Sequence, residues 1–221
     1  MQTSLTNAKL FKGIPQKDIE TLLFCVGTKK QTYTKGEYIF HEGSLIEQIG
    51  IVLSGAVIIE LCDAWGNNNV LTNLGPGETF LEVYACCLKE PLMINVVAAE
   101  DTTVLLLNIN KLITNCPKCC NFHYDLQKNL LMLTAERNLQ LSRRILHTSS
   151  KNIRKRLMSY FSYCIKQNGS FSFNIPYNRQ QLADYLSVER SALSNELSKM
   201  KRDGIIQFDK NHFIVKEDII V

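Results

Sequence analysis

The stretch of residues 178–204, NRQQLADYLSVERSALSNELSKMKRDG, constrains the fold of this 221-residue chain more than any other part. The three residues at 187–189 are too few for anything but a tight corner, and one of them, Val188, is apolar. On either side of it, apolar residues recur at helical spacing: Leu182, Ala183 and Leu186, then Leu193, Leu197 and Met200. The stretch therefore predicts two short helices that cross closely at the small residue Ala183, which is a helix-turn-helix.

Polar side chains on the second predicted helix point away from its apolar stripe: Arg190, Ser191, Ser194 and Asn195. In a recognition helix the first turns enter the major groove of DNA, and long polar side chains reach base edges. Basic residues follow on the same helix, namely Lys199, Lys201 and Arg202. A helical hairpin with a solvated face is the alternative for this segment alone.

The residues after Gly204 predict a β-hairpin. A polar four-residue turn at 209–212, which contains Lys210, separates two β-rich runs. A hairpin that directly follows a recognition helix is a wing, so the C-terminal third is predicted to be a compact winged helix. Its other predicted elements are a helix over 152–167 and a strand over 171–175.

Positive charge is concentrated in the same third of the chain. Residues 151–221 carry 12 Lys and Arg against 7 Asp and Glu, whereas residues 1–150 carry 13 against 14. A cationic domain is attracted to the phosphates of DNA. The basic run at 151–156 is equally compatible with a solvated helix face. The charge therefore supports DNA binding only together with the helix-turn-helix and the wing.

Length and composition restrict the remaining function classes. A chain of this length holds a domain of roughly 115 residues beside the winged helix. No apolar run approaches the ~20 residues of a membrane span, and the N-terminus lacks the pattern of a secretory signal. We therefore expect a cytoplasmic protein with no membrane partner and mostly reduced cysteines, of which there are eight. No nucleotide-binding Gly loop, nucleophile motif or carboxylate pair indicates an enzyme.

Residues 32–108 show short β-rich runs separated by glycine-containing turns, two of which we place at 66–69 and 75–77. Many short strands at intervals of about ten residues predict an all-β sandwich or jelly roll. Residues 5–25 are predicted to form short helices packed on it.

Residues 121–147 form one long helical pattern without Gly or Pro. Leu126, Leu130 and Leu133 make an apolar seam along it. The simplest partner for such a helix is its twin in a second subunit. This pairing predicts a homodimer whose recognition helices lie about one DNA turn apart, ~34 Å, and hence a palindromic operator in double-stranded DNA.

Three stretches of the chain resemble the CRP/FNR family of bacterial transcription regulators: KGEYIFHEGSLIEQIGIVLSGAVII (35–59), GPGETFLEV (75–83) and the helix-turn-helix (178–206). The resemblance covers nearly the whole chain and implies an α+β protein. It implies an N-terminal β jelly roll of the cyclic-nucleotide-binding type, a long dimerisation helix and a C-terminal winged helix-turn-helix. The corresponding domains are a sensor over 1–118, the dimerisation helix over 119–148 and a DNA-binding domain over 149–221.

The resemblance also assigns contacts to DNA. Arg190 matches a family arginine that commonly reads a guanine, a base suited to bidentate arginine contact. Ser191 and Asn195 stand where many members have a glutamate and a second arginine, so we expect the operator to depart from the best-known half-site of the family, although Arg190 is kept. Arg179 and Lys199 are predicted to contact phosphates. The predicted DNA-binding set is completed by Ser194, Lys201, Arg202 and Lys210.

The predicted effector pocket departs from the family pattern. Cyclic-nucleotide binders open this cassette with a Gly-Glu pair and hold the phosphate with an Arg-Ser or Arg-Thr pair. Here Glu82 is kept, Leu81 replaces the glycine, and Leu92 and Met93 replace the second pair. A phosphodiester without a cation would be disfavoured by an amount on the order of several kcal/mol. We therefore expect no response to cyclic AMP and a less charged effector beside Leu92, Met93 and Ile94; the alternative is that these side chains simply fill the roll.

Cysteine suggests a second kind of sensing, through a CxxCC cluster at Cys116, Cys119 and Cys120 and a pair at Cys86 and Cys87. Oxygen-sensing members of the family hold an iron–sulfur cluster through cysteines mostly near the N-terminus, where this chain has a single one. We therefore predict no metal site and no cofactor. Ligation of iron, zinc or an iron–sulfur cluster by the CxxCC cluster and redox thiol chemistry are the alternatives.

These observations predict a sequence-specific DNA-binding transcription regulator that acts as a homodimer. Its N-terminal domain senses an unknown small-molecule effector, and RNA polymerase is a further expected partner. The alternative is a small-molecule, redox or metal sensor module whose winged helix mediates protein contacts. Binding to mixed genomic DNA fragments distinguishes the two.

Overall fold

A computed structural model describes residue 5 and residues 8–62, 68–87, 89–114 and 121–217. The chain forms two compact units, Met1–Glu136 and Arg137–Val221. The boundary between the units falls within the long helix predicted from the sequence. Across the described ranges, no helix has the length and apolar composition needed to cross a bilayer.

Antiparallel strands dominate the first unit. They are β1 (Thr28–Tyr33), β2 (Tyr38–Phe40), β3 (Gln48–Ser54), β4 (Val57–Cys62), β5 (Asn68–Leu74), β6 (Thr79–Phe80), β7 (Asn95–Ala98) and β8 (Thr102–Asn108). Within the described part of the chain they form two four-stranded sheets, in the orders β1-β8-β3-β6 and β2-β7-β4-β5. Strands distant in sequence are neighbours in both sheets, which agrees with the predicted jelly roll.

Helices flank these sheets. They are a 3₁₀ turn at Lys9–Phe11, α1 (Gln16–Cys25), α2 (Glu82–Cys86), α3 (Ile109–Ile113) and the first part of α4 (Asn121–Thr148). The carbonyl oxygen of the Asn108 side chain accepts a hydrogen bond from the Lys111 N–H and so caps the start of α3. The short helices predicted over residues 5–25 are present at 9–11 and 16–25.

The space between the two sheets is filled by apolar side chains. Val52, Phe80 and Leu106 from one sheet and Val57 and Val96 from the other are buried there. A Cβ atom at Gly50 of β3 would overlap the ring of Phe80. Only glycine at this position lets the ring pack directly on the strand.

The leucines predicted to form the dimer seam lie inside the first unit instead. Leu126 is 0% exposed, and Leu130 and Leu133 are each 6% exposed. Leu126 and Leu130 belong to a core cluster that also contains Leu22 of α1 and Leu107 of β8. The interpretation of these three leucines as a dimer surface is therefore wrong. Helical periodicity marks an apolar face but does not tell whether its partner belongs to the same chain.

Two strands differ from the sequence expectation. β1 has the sequence TKKQTY, which contains little apolar surface, yet it pairs along its whole length with β8. β5 begins at Asn68, inside the stretch predicted as a turn at 66–69, and pairs with β4. Hydrogen bonding to a neighbouring strand, rather than side-chain pattern, accounts for both.

The second unit is a winged helix, as predicted. After the end of α4 it contains α5 (Ile153–Asn168), β9 (Ser172–Asn174), α6 (Arg179–Leu186), α7 (Arg190–Arg202), β10 (Ile206–Asp209) and β11 (His212–Val215). The strands pair antiparallel in the order β10-β11-β9. Helices and sheet share one core, in which Leu182, Leu193 and Phe213 are fully buried.

The turn of the wing is shorter than predicted. Asp209 and His212 pair with each other as the last and first residues of β10 and β11, so the loop consists of Lys210 and Asn211 rather than four residues. Lys210 has a φ of 48°, in the left-handed region that non-glycine residues rarely adopt. The wing therefore ends in a tight, strained turn with a cationic side chain.

Candidate DNA-binding surface and effector site

The first helix of the helix-turn-helix begins with a capping box. The Asn178 side chain accepts from the Gln181 N–H, and the Gln181 side chain accepts from the Asn178 N–H, both at 2.9 Å. The helix ends at Ser187, whose φ of 53° turns the chain. The Val188 N–H then donates to the Ala183 carbonyl oxygen. Local hydrogen bonds thus define the tight corner that the sequence predicts.

Two arginines from neighbouring helices hold the C-terminal end of α6. Arg144 of α4 donates from Nη2 to the Asp184 carbonyl oxygen at 2.8 Å and from Nε to that of Tyr185 at 3.1 Å. Arg156 of α5 donates from Nη1 to the carbonyl oxygens of Leu186 and Ser187, at 2.7 and 2.8 Å. Terminal helix carbonyls lack intrahelical partners and attract cations. Neither role is recognisable from the sequence, because contacts between distant residues leave no local pattern.

Helix α7 presents most of the predicted DNA-binding side chains. Arg190 is the first residue of this helix, and Ser194 is half-buried. The other predicted side chains on the helix are exposed: Arg190, Ser191, Asn195, Lys199, Lys201 and Arg202. Arg154 of α5 contacts the same helix through ion pairs with Glu196 at 2.6 Å and Asp203 at 2.7 Å. The helix is thus anchored by its apolar face and by Arg154, while its first turn remains accessible.

The two remaining predicted contacts lie at the wing. Lys210 is exposed in the turn, but Arg179 is half-buried, and its guanidinium carbon lies 5.0 Å from the ring centroid of Phe208 and 5.5 Å from that of Phe213. Arg179 Nη2 donates to the Lys210 carbonyl oxygen at 3.1 Å. Lys201 Nζ lies 5.2 Å from the centroid of the same Phe208 ring. Arg179 and Lys201 therefore contact the wing itself.

The predicted effector residues divide between the core and the surface. Leu92 is 1% exposed in the core between the sheets, where Ile94 also packs, whereas Met93 is 67% exposed. Glu82 is buried at the start of α2. Leu81 precedes it with a φ of 65°. A glycine adopts this backbone freely, whereas a leucine retains it at a cost of about 1–2 kcal/mol.

Comparison with known proteins identifies the family. Residues 30–115 match the model of the cyclic nucleotide-binding domain, and residues 155–218 match that of the Crp-like helix-turn-helix domain. The cyclic AMP receptor protein of Thermus thermophilus is 24% identical over 216 residues, which cover 96% of this chain and 94% of that protein. This chain belongs to the CRP/FNR family.

Two further similarities extend this result. The transcriptional activator FnrL of Cereibacter sphaeroides is 38% identical to this chain over 53 residues, which cover 24% of this chain and 21% of FnrL. The crystal structure of the Thermus thermophilus catabolite activator protein matches with a TM-score of 0.52 and 22% identity, over 95% of this chain and 94% of that one. The protein is thus a DNA-binding transcription regulator with a sensor domain of the cyclic-nucleotide-binding type.

His147, in the last turn of α4, belongs to the packed interior of the winged helix of this CRP/FNR regulator. Its Nδ1 lies 3.0 Å from Ser159 Oγ. Burial lowers the pKa of His147, and the charge of Arg143 lowers it further, so the imidazole is neutral at pH 7. The ring packs against three tyrosines, Tyr160, Tyr163 and Tyr185.

The cysteines of the regulator divide into described and undescribed groups. Cys116, Cys119 and Cys120 lie outside the described residues. Cys86 and Cys87 are exposed residues. Partial loss of solvent around the Cys86 sulfur raises the pKa of this thiol, and the neighbouring charge of the Cys87 thiolate raises it further. In the part of the chain that the structure describes, no three His, Cys, Asp or Glu side chains are grouped as for a metal ion.

Proposed function

We propose that this CRP/FNR regulator recognises a specific operator through the first turn of α7, with Arg190 as the base-reading residue. The observation that carries the proposal is the exposure of Arg190 at the first residue of a helix whose other face is fixed in the core. Its guanidinium offers the paired donors that match the O6 and N7 atoms of guanine. Lys199, nine residues further along the same helix and also exposed, is proposed to contact phosphate.

Arg190→Ala is expected to cost about 1–3 kcal/mol of binding free energy and to relax base preference at one position per half-site. Lys199→Ala serves as the matched control, because it should weaken binding to all sequences similarly and lower the salt slope by about one unit. Operators are selected from random DNA, and affinities are then measured for each variant. Wild-type base preference in Arg190→Ala would contradict the assignment.

The regulator is further proposed to act as a homodimer that binds a palindromic operator, with RNA polymerase as a further partner. Support comes from large apolar side chains of α4 that are exposed in the chain. These residues are Tyr124, Leu131 and Met132 in the first unit and Leu139, Leu141, Ile145 and Leu146 in the second. Seven exposed apolar side chains on one helix are best covered by the same helix of a second copy.

The effector is proposed to be less charged than a cyclic nucleotide. In the position of the phosphate-binding pair of the family, Leu92 points into the core and Met93 points to solvent. Lys89 is the only Lys or Arg from Glu78 to Asp101 in the sequence, and its side chain is exposed. The relative from Thermus thermophilus is a cyclic AMP receptor protein by name, but these side chains offer a buried phosphodiester no cation.

Millimolar cyclic AMP or cyclic GMP is therefore expected to leave the melting temperature and the operator affinity unchanged. A ligand at about 100 times its dissociation constant would add ~2.7 kcal/mol of stability, which a thermal scan detects easily. The Thermus thermophilus protein provides the positive control in the same assay. A thermal shift with cyclic AMP that Lys89→Ala abolishes would contradict the proposal and identify Lys89 as the missing cation.

A further inference from the structure

The guanidinium of Arg179 faces the wing. It stands at the first position of α6, which begins the helix-turn-helix, and its carbon lies 5.0 and 5.5 Å from the ring centroids of Phe208 and Phe213. Both distances fall within the range of about 6 Å in which a cation is attracted to an aromatic face. Partial burial lowers the pKa of Arg179. Partial loss of water strengthens a cation–π contact relative to an exposed one.

The same guanidinium holds the turn of the wing. Arg179 Nη2 donates to the carbonyl oxygen of Lys210 at 3.1 Å. Lys210 has a left-handed backbone, which is strained in a non-glycine residue. A charged donor on this carbonyl offsets part of that strain, because hydrogen bonds to charged groups are the stronger class. The backbone from which the exposed Lys210 side chain projects is thereby held beside α6.

A second cation reaches the wing from the other helix of the motif. Lys201 Nζ, near the end of α7, lies 5.2 Å from the ring centroid of Phe208. The ring of Phe208 in β10 is therefore contacted by one cation from α6 and one from α7. This arrangement ties the wing to both helices of the helix-turn-helix through one aromatic side chain.

From these contacts we infer that Arg179 is a positioning residue for DNA binding: it fixes the wing so that Lys210, rather than Arg179 itself, contacts the phosphate. This inference rests on the proposed contacts of the winged helix with DNA. It revises the sequence-based prediction that Arg179 contacts phosphate directly. The guanidinium of Arg179 already lies over the two rings and donates to the Lys210 carbonyl oxygen, so it is engaged by the wing in the absence of DNA.

The first test measures operator affinity against salt concentration for the full-length wild type, Arg179→Met, Lys210→Met and the double variant. Each single variant is expected to weaken binding about tenfold and to lower the salt slope by about one unit. The double variant should lose no more than either single variant. Losses that multiply to about a hundredfold, with the slope falling by two units, would make Arg179 an independent phosphate contact and overturn the inference.

Phe208→Leu provides a variant that removes the ring without changing charge. It is expected to weaken operator binding in the wild-type background and to have little further effect in Arg179→Met. An equal effect of Phe208→Leu in both backgrounds would overturn the inference. This pair of outcomes would be obtained even if Lys210→Met folded poorly.

Hydrogen exchange of the β10 and β11 amides tests the hold on the wing without DNA. Exchange is expected to be faster in Arg179→Met and in Phe208→Leu than in the wild type. It should be no faster in the double variant than in either single variant. Unchanged exchange in Arg179→Met would overturn the inference. A wild type that bound no operator would contradict the proposed function, while the exchange rates would still decide whether Arg179 holds the wing.

Discussion

Leu126→Glu is expected to unfold the first unit, whereas Leu131→Glu should leave it folded and dissociate the proposed dimer. The two residues lie on the same helix, but Leu126 is 0% exposed and Leu131 is 68% exposed. A glutamate at position 126 would bury a carboxylate among apolar side chains and remove the packing of the leucine. The expected cost exceeds about 4 kcal/mol, a large share of the 5–15 kcal/mol that typically stabilises a domain.

Urea unfolding and sedimentation velocity separate the two effects. Leu126→Glu should lose the cooperative transition of the sensor domain. Leu131→Glu should keep a cooperative transition of the sensor domain and sediment as a monomer. Gln140→Glu, on the other side of the helix, is the control for added charge and should remain dimeric. A stable dimer of Leu131→Glu would place the interface elsewhere, and a stable Leu126→Glu would contradict the core assignment.

Arg156→Met is expected to destabilise the second unit by about 2–4 kcal/mol, because it removes charge-assisted hydrogen bonds of the stronger class. Arg156 joins α5 to the Leu186 and Ser187 carbonyl oxygens and also donates from Nε to the Ser150 carbonyl oxygen. Methionine keeps much of the aliphatic stem, so the loss reports mainly on the guanidinium.

Lys155→Met is the matched control for this variant, since Lys155 is the exposed neighbour on the same helix. It removes the same charge and should change stability by less than about 0.5 kcal/mol. The midpoints of urea unfolding, followed by circular dichroism, give both values. Equal midpoints for the two variants would show that the hydrogen bonds from Arg156 to these carbonyl groups add no stability.

Local pattern predicted the winged helix well because its elements bury their own apolar stripes. Leu182 and Leu193 are 0% exposed, as their helical spacing predicts. The corner at 187–189 is fixed by neighbouring backbone groups, so it too is encoded locally. The jelly roll was predicted only as a class, because β1 and part of β5 have side chains that do not alternate between apolar and polar.

The features that sequence did not reveal depend on contacts between distant residues. Leu126 and Leu131 are equally apolar, and only the packing of α1 and β8 against one side of α4 distinguishes them. Arg179 looks like a free cation in the sequence, since nothing local shows that Phe208 and Phe213 will meet it. The roles of Arg144 and Arg156 are equally invisible, because their acceptors are carbonyl groups that every residue possesses.

The contacts of Arg144 and His147 have a consequence for where an autonomously folding fragment of the regulator can begin. A fragment cut at residue 149 would lack both side chains, leaving two carbonyl groups of α6 without their cationic donor and three tyrosines without the ring that covers them. The second compact unit begins at Arg137, inside the long helix. The last turns of that helix are therefore part of what folds the DNA-reading half of the molecule.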